Sequence, residues 1–267
     1  MRSPTSTTRT ELEEFVEAPA AFTPPAPGNA SVSNERFTLR GSISGTSLAV
    51  QRIRLRGDEI DDALDAARSF MRVTGATAAS WWLSEHSTPA DLETRLLERG
   101  LVAIEGDYAL DGMLLTSEPP AGPPDVEARV VRTAEEFVAA TEAQYAAFDT
   151  AADRRRDIAA LVDEFELERR SDVVRLYGAW LDGRPVGGGR AIFSPRGTLL
   201  AGGSTVPWAR GRGAYRALVR ARWDEAVARG TPALAVQAGA MSAPILARLG
   251  FETTCRFRRL EDVLGAA

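Results

Sequence analysis

Apolar and polar positions along this chain follow two rhythms, and the switches between them mark its elements. Short alternating runs over 37–39, 48–50 and 53–55 suit half-buried strands. At Asp58 the period lengthens: Ile60, Leu64, Ala67, Phe70 and Met71 share one helical face. Asp58, Glu59, Asp61 and Asp62 crowd the start of that helix, where its dipole favours them. A strand is predicted over 77–83. The next helix is opened by Ser87-Thr88-Pro89, striped by Leu92, Leu96 and Leu97, and stopped by Gly100. Residues 101–104 and 108–110 then read as a closing hairpin.

Beyond residue 125 the pattern is fuller. A strand over 126–131 leads into Thr133-Ala134-Glu135-Glu136, a capping box, and a helix carrying Phe137, Ala140 and Tyr145. A second helix over 151–168 is striped by Ile158, Leu161, Val162 and Phe165. Strands over 173–181 and 185–193 flank Asp182-Gly183-Arg184, a hairpin signal, and a third strand covers 198–206. A Gly/Arg turn feeds a helix to residue 229. A strand over 233–237, a helix over 242–249 and a final strand or hairpin over 251–260 complete the chain.

This pattern divides the chain. Residues 1–33, rich in Pro, Ala, Ser and Thr, are expected to be a largely disordered leader, in which the short acidic segment 11–16 suits a helical turn. Residues 117–124 hold four prolines and predict a semi-rigid linker between units at 34–116 and 125–267. The run 95–101 echoes 245–251, each helix ending on a glycine, and the matching order of elements points to duplication.

Composition narrows the function. Hydrophobic residues make up 44% of the 267, ordinary for a globular protein, and the net charge of −5 argues against non-specific nucleic-acid binding. All 32 basic residues are arginine, which excludes lysine chemistry such as a Walker-type phosphate lysine or a Schiff base. Cys255 is the single cysteine and His86 the single histidine, so neither a disulfide framework nor a metal site is expected. No membrane-length apolar run is present, and a cytoplasmic location is expected.

The candidate chemistry lies at 199–222. A strand ending in Arg210-Gly211-Arg212-Gly213 and feeding a helix offers unpaired N–H groups, a positive dipole end and two guanidinium groups. That is an anion site suited to a phosphate-bearing cofactor. The patterns G-x-x-x-x-G-K-[ST] and G-x-G-x-x-G are absent, which disfavours a nucleotide-phosphate enzyme.

Residues 126–264 resemble the GNAT family of N-acetyltransferases. The likeness rests on two helices between the first two strands and on a strand ending just before the Gly/Arg turn. It rests further on Arg210-x-x-Gly213, which fits the acyl-CoA signature Q/R-x-x-G-x-G/A, and on a last helix ending in Leu249-Gly250-Phe251. The resemblance implies an α/β fold with a mixed, mostly antiparallel sheet flanked by helices, preceded by a smaller, degenerate GNAT-like unit. It implies acetyl-CoA as co-substrate and direct attack by a primary amine of a small molecule or peptide. Arg210, Gly211, Arg212, Gly213, Ala214 and Tyr215 would hold the pyrophosphate. Backbone N–H groups around Val206, with Thr205 before it, would pin the pantetheine and polarise the thioester, and Gln237 would bond the pantetheine amides.

The departures matter. Tyr215 stands where the signature has Gly or Ala, and Leu246 stands where many family members carry a tyrosine acid. Ser242 is the remaining candidate, ordering a proton-relay water or simply capping its helix. Glu142, Asp149, Asp163, Glu164 and Glu166 are candidates to attract a cationic acceptor, while Tyr145 and Tyr177 read as packing residues. The acids after Gly57 would repel a pyrophosphate, so the N-terminal unit is not expected to bind CoA. A non-catalytic acyl-CoA-binding module is the alternative to an enzyme.

Overall fold

The computed structural model describes residues 7–42, 47–104 and 109–263; residues 1–6 of the leader and Tyr108 of the expected hairpin lie outside them. The chain opens with α1 (Arg9–Glu17), β1 (Asn29–Ser33), β2 (Thr38–Ser42), β3 (Ser47–Gln51) and α2 (Ile60–Thr74). It continues through β4 (Ala78–Leu83), α3 (Leu92–Glu98), β5 (Val102–Ala103) and β6 (Ala109–Leu115). Next come β7 (Val126–Val130), α4 (Ala134–Ala147), α5 (Ile158–Glu168), β8 (Val174–Leu181), β9 (Arg184–Ser194) and β10 (Gly197–Thr205). The chain closes with α6 (Ala214–Ala228), β11 (Leu234–Ala238), α7 (Ala243–Arg248) and β12 (Glu252–Val263).

Two compact units form. The N-terminal unit holds described residues of 7–114, 237–247 and 252–263; the central unit holds 115–236 and 248–251. The break after residue 114 lies close to the expected end of the first unit at 116, but 237–247 and 252–263, expected in the second unit, join the first. Strand partners are chosen by matching edges rather than by nearness in sequence, and β12 lies with the N-terminal unit.

In the N-terminal unit the strand order is β1-β2-β3-β4-β12-β6, antiparallel except for β3 and β4, which α2 connects in parallel. The expected hairpin over 101–110 is not formed by β5 and β6 pairing together. Both pair with β12, β5 at Leu260↔Ala103 and β6 from Glu252↔Leu114 to Arg258↔Ala109. Leu39, Val50, Ile60, Leu64, Met71, Trp81, Leu96 and Leu260 fill the core on the α2 and α3 side.

The leader is ordered from residue 7 onward, against the expectation of disorder. Thr8 and Glu11 close a capping box, and α1 buries Leu12, Phe15 and Val16, a stripe at i, i+3 and i+4. Glu17, 2% exposed, receives Arg54 Nη2 at 2.7 Å and Ser84 Oγ at 2.5 Å. Three apolar residues suffice because the sheet supplies the other wall.

The central unit has the order β7-β8-β9-β10-β11, antiparallel except for the last pair, which α6 bridges. Its strands are buried on both faces. On β8, Tyr177, Ala179 and Leu181 pack with α6, whereas Leu176 and Trp180 pack with α4 and α5. The expected linker at 117–124 is a strap on α6. Arg220 ion-pairs Glu118 at 2.6 Å and donates to the Pro119 carbonyl, and Gly122 lies so close that a Cβ would sit 2.7 Å from that of Ala217. No helix among the described residues is long and apolar enough to cross a membrane.

Candidate functional site

The site grows from a flaw in β10. Its register with β9 runs through Ala201↔Arg190 and resumes at Ser204↔Gly188, so β10 carries one extra residue. Gly202, at φ 61°, supplies the left-handed backbone this bulge needs. Gln144 of α4, almost fully buried, donates Nε2 to the Gly202 carbonyl at 2.8 Å and fixes the bulge from below. No sequence motif singles out this glutamine. On the other edge, pairing of β10 with β11 is confined to Thr198↔Leu234 and Leu199↔Ala235. The end of β10 therefore has a backbone edge without a β11 partner.

Val206 does not supply the expected donor. Its N–H is spent on the Val186 carbonyl at 2.9 Å and its carbonyl accepts from Ala209. Alternation in an antiparallel pair turns the N–H and C=O of neighbouring Thr205 away from β9. The Thr205 carbonyl accepts from Arg210 Nε at 3.4 Å, and Thr205 Oγ1 is buried without a partner.

After a 3-10 turn at Pro207–Ala209 the backbone takes left-handed values at Gly211 (φ 79°) and Gly213 (φ 82°). No side chain caps α6 at Gly213, and the N–H groups of Gly211, Gly213, Ala214 and Tyr215 take no partner among the described residues. Successive amides of this kind form a concave anion-binding nest at a positive helix end. Gly213 is also forced by contact, since a Cβ there would lie 2.8 Å from Pro123 of the strap.

The arginines divide their work. Arg210 Nη2 donates to the Ala147 carbonyl at 3.2 Å, tying the turn to α4. Arg212 is half exposed and pairs loosely with Asp125 at 3.6 Å. Arg216, in the first turn of α6, has a buried Nε without a partner and was not among the expected residues. Its Nη2 would lie 3.6 Å from a Cβ on Gly213, so its position three residues into the helix was the available signal.

Tyr215 turns inward. Its ring lies across Gly203, where a Cβ would meet Cε2 at 2.8 Å, and burial raises its pKa. Beneath it Arg222 is fully buried, with Nε on the Leu218 carbonyl, Nη1 on the Arg190 carbonyl and Nη2 without a partner. Burial pushes the Arg222 pKa down, and the Tyr177 and Tyr215 phenols oppose that shift.

The other predicted residues lie in the N-terminal unit or on α4 and α5. Gln237 donates Nε2 to the Val16 and Glu17 carbonyls at 3.1 and 3.2 Å, so its amide is occupied by the end of α1. Ser242 Oγ donates to the Gly239 carbonyl at 3.2 Å, and Leu246 is fully buried. Glu142, Asp149 and Asp163 are exposed, and Glu166 pairs with Arg169 and Arg170. Glu164 pairs with Arg156 at 2.8 Å and Arg190 at 3.2 Å. Glu168, which the sequence did not mark, binds Arg190 Nε at 2.8 Å, and burial holds its pKa above the ordinary value. Tyr177 is buried, and Tyr145 accepts the Arg156 N–H. At the start of α2, the Glu59 carboxylate takes the Arg56 N–H at 2.8 Å. No metal-ligating cluster occurs among the described residues.

The chain matches no family model and no curated protein by sequence. Solved structures do match. A GCN5-related N-acetyltransferase from Kribbella flavida superposes with a TM-score of 0.65 at 18% identity, covering 95% of this chain and 96% of the other. The chain has the GNAT fold. A second GNAT structure, from Sphaerobacter thermophilus, gives 0.59 at 17% identity over 86% and 81% of the two chains. A tandem GNAT protein from the clavulanic acid biosynthesis pathway gives 0.58 at 18% identity over 99% and 91%. At such coverage the GNAT likeness extends over both units.

Proposed function

We propose that the central unit is an acyl-CoA-dependent N-acetyltransferase acting on a primary amine of a small molecule or peptide. It uses acetyl-CoA as co-substrate and no metal, in the cytoplasm. The observation that carries this reading is the α6 turn, where free amides of Gly211, Gly213, Ala214 and Tyr215 meet Arg212 and Arg216 on a GNAT fold. Those groups would take the pyrophosphate. The Thr205 N–H, rather than that of Val206, would reach the pantetheine and the thioester carbonyl.

In the reaction the amine nitrogen attacks the thioester carbon, the C–S bond breaks, and the proton lost by nitrogen goes through water to the departing thiolate. Alignment of the two reactants can supply much of the acceleration. General acid catalysis adds ~10²–10⁴-fold where a donor exists, and the apolar Leu246 forgoes it. That residue, fully buried, also favours the second reading, a non-catalytic acyl-CoA-binding module.

Calorimetry with acetyl-CoA, then thiol release against an amine panel, separates the two. Gly211→Asp is the informative variant: its Cβ meets nothing within 4 Å, and Asp tolerates the left-handed backbone better than most residues. Its carboxylate would face the phosphates and lower affinity about tenfold or more in a folded protein. Unchanged affinity removes the turn as the pyrophosphate site. Binding without thiol release on any amine selects the module, and no binding by the wild type sinks both readings.

A further inference from the structure

A cleft of about 280 Å³ opens on the sheet of the N-terminal unit, on the face away from α2 and α3. Strand alternation explains its content. Leu39, Val50, Trp81 and Leu260 point into the core, so Arg40, Ala49, Ser80, Trp82 and Arg259 share the opposite face. The register sets Arg40 against Ala49 and Ala49 against Ser80 in one row, with Trp82 against Arg259 in another. The small methyl of Ala49 leaves a floor between a guanidinium and a hydroxyl, and Asn29 borders it.

Two donors of this cleft have no acceptor. Ser80 Oγ and Trp82 Nε1 are buried with no hydrogen-bond partner. Burial lowers the Arg40 pKa, and no carboxylate among the described residues counters the shift. Arg259 lies over the Trp82 ring at 5.6 Å, adding positive charge at the rim. Among the described residues no acidic side chain lines the cleft; Glu261, in register with Ser80 on β12, is not part of the wall. Unpaired buried donors are costly, and an oxyanion satisfies several at once. The volume is at the small end of ligand sites, which run roughly 300–1,000 Å³.

We propose that this cleft binds a small oxyanion, a carboxylate or phosphate group, received by the Arg40 fork with Ser80 Oγ and Trp82 Nε1 donating. The site is independent of the α6 turn, so acetyl-CoA binding and this binding can fail separately.

The test uses the full chain with ¹⁵N-labelled tryptophan, the Trp82 indole signal being assigned by Trp82→Phe. Inorganic phosphate and acetate are titrated separately at ionic strength matched with chloride. A saturable shift of the Trp82 signal with either anion is expected, and the tighter one names the source. Arg40→Gln should weaken that binding about tenfold or more, the loss of a charge-assisted contact. Where Arg40→Gln does not fold, Ser80→Ala should weaken it about threefold or more. A Trp82 signal that responds to both anions only as it does to chloride overturns the proposal. So does unchanged affinity in the folded variant.

Discussion

Phe15→Ala tests whether the leader helix is part of the fold or merely lies upon it. Phe15 is fully buried, and truncating a buried phenylalanine costs ~3–5 kcal/mol. The rest of α1 is held by buried Leu12 and Val16, by the Glu17 contacts with Arg54 and Ser84 and by the two Gln237 hydrogen bonds. A buried aliphatic side chain contributes ~1.5–3 kcal/mol, a neutral hydrogen bond ~0.5–1.5 kcal/mol and one to a charged group ~1.5–3 kcal/mol, so Phe15 is the largest single contribution to the docking of α1. The reporter is Cys255, the only cysteine, 2% exposed and with its pKa pushed up to about 12 by burial and then by the nearby Glu17. Its Sγ and Val16 Cγ1 crowd the same spot above Gly112, where a Cβ would come within 2.4 and 2.9 Å of them. Undocking α1 therefore uncovers the thiol. With labelling by a thiol reagent limited by opening, each ~1.4 kcal/mol is tenfold, and Phe15→Ala should label roughly two to three and a half orders of magnitude faster. Deleting residues 1–21 should do at least as much. An increase below about tenfold, in a variant keeping the wild-type circular dichroism, would refute the claim that α1 seals this part of the sheet.

Two further tests probe the central unit. Glu168 has its pKa raised by burial, so the folded state holds that proton more tightly than the unfolded chain. Its contribution to stability is present below the ordinary 4.5 and is lost as pH rises through the raised value. The Tm of Glu168→Gln minus that of the wild type should accordingly rise with pH across that window, and a difference that falls would contradict the assignment. Gly203→Ala should destabilise by ~1–3 kcal/mol in urea unfolding, because its Cβ would press Tyr215 Cε2 at 2.8 Å. Tyr215→Leu should relieve part of that penalty in the double variant, and strict additivity would deny the contact.

The order of elements was legible because hydrophobic period reports locally which face of a segment is buried. The meander β7 to β10, the α6 crossover and the Gly/Arg turn all follow from such local signals. Partner choice is not local. Nothing in residues 252–263 states that this strand will lie between β4 and β6, and the Pro-Ala context of 18–27 hides the three buried apolar residues of α1. The same limit applies at the site, where the letters located the turn but not its free donors. Val206 and Gln237 carry plausible groups, yet one N–H closes onto Val186 and one amide onto the end of α1. A backbone donor carries no letter of its own; whether it is free depends on the extra residue at Gly202 and on where pairing with β11 stops. The groups open to a ligand at the turn, namely the amides of Gly211 and Gly213 to Tyr215, are thus fixed by register and backbone angle. Substitutions that alter the turn's backbone or its charge should therefore perturb binding more than substitutions at Gln237 or Ser242, whose hydrogen bonds lie within the chain.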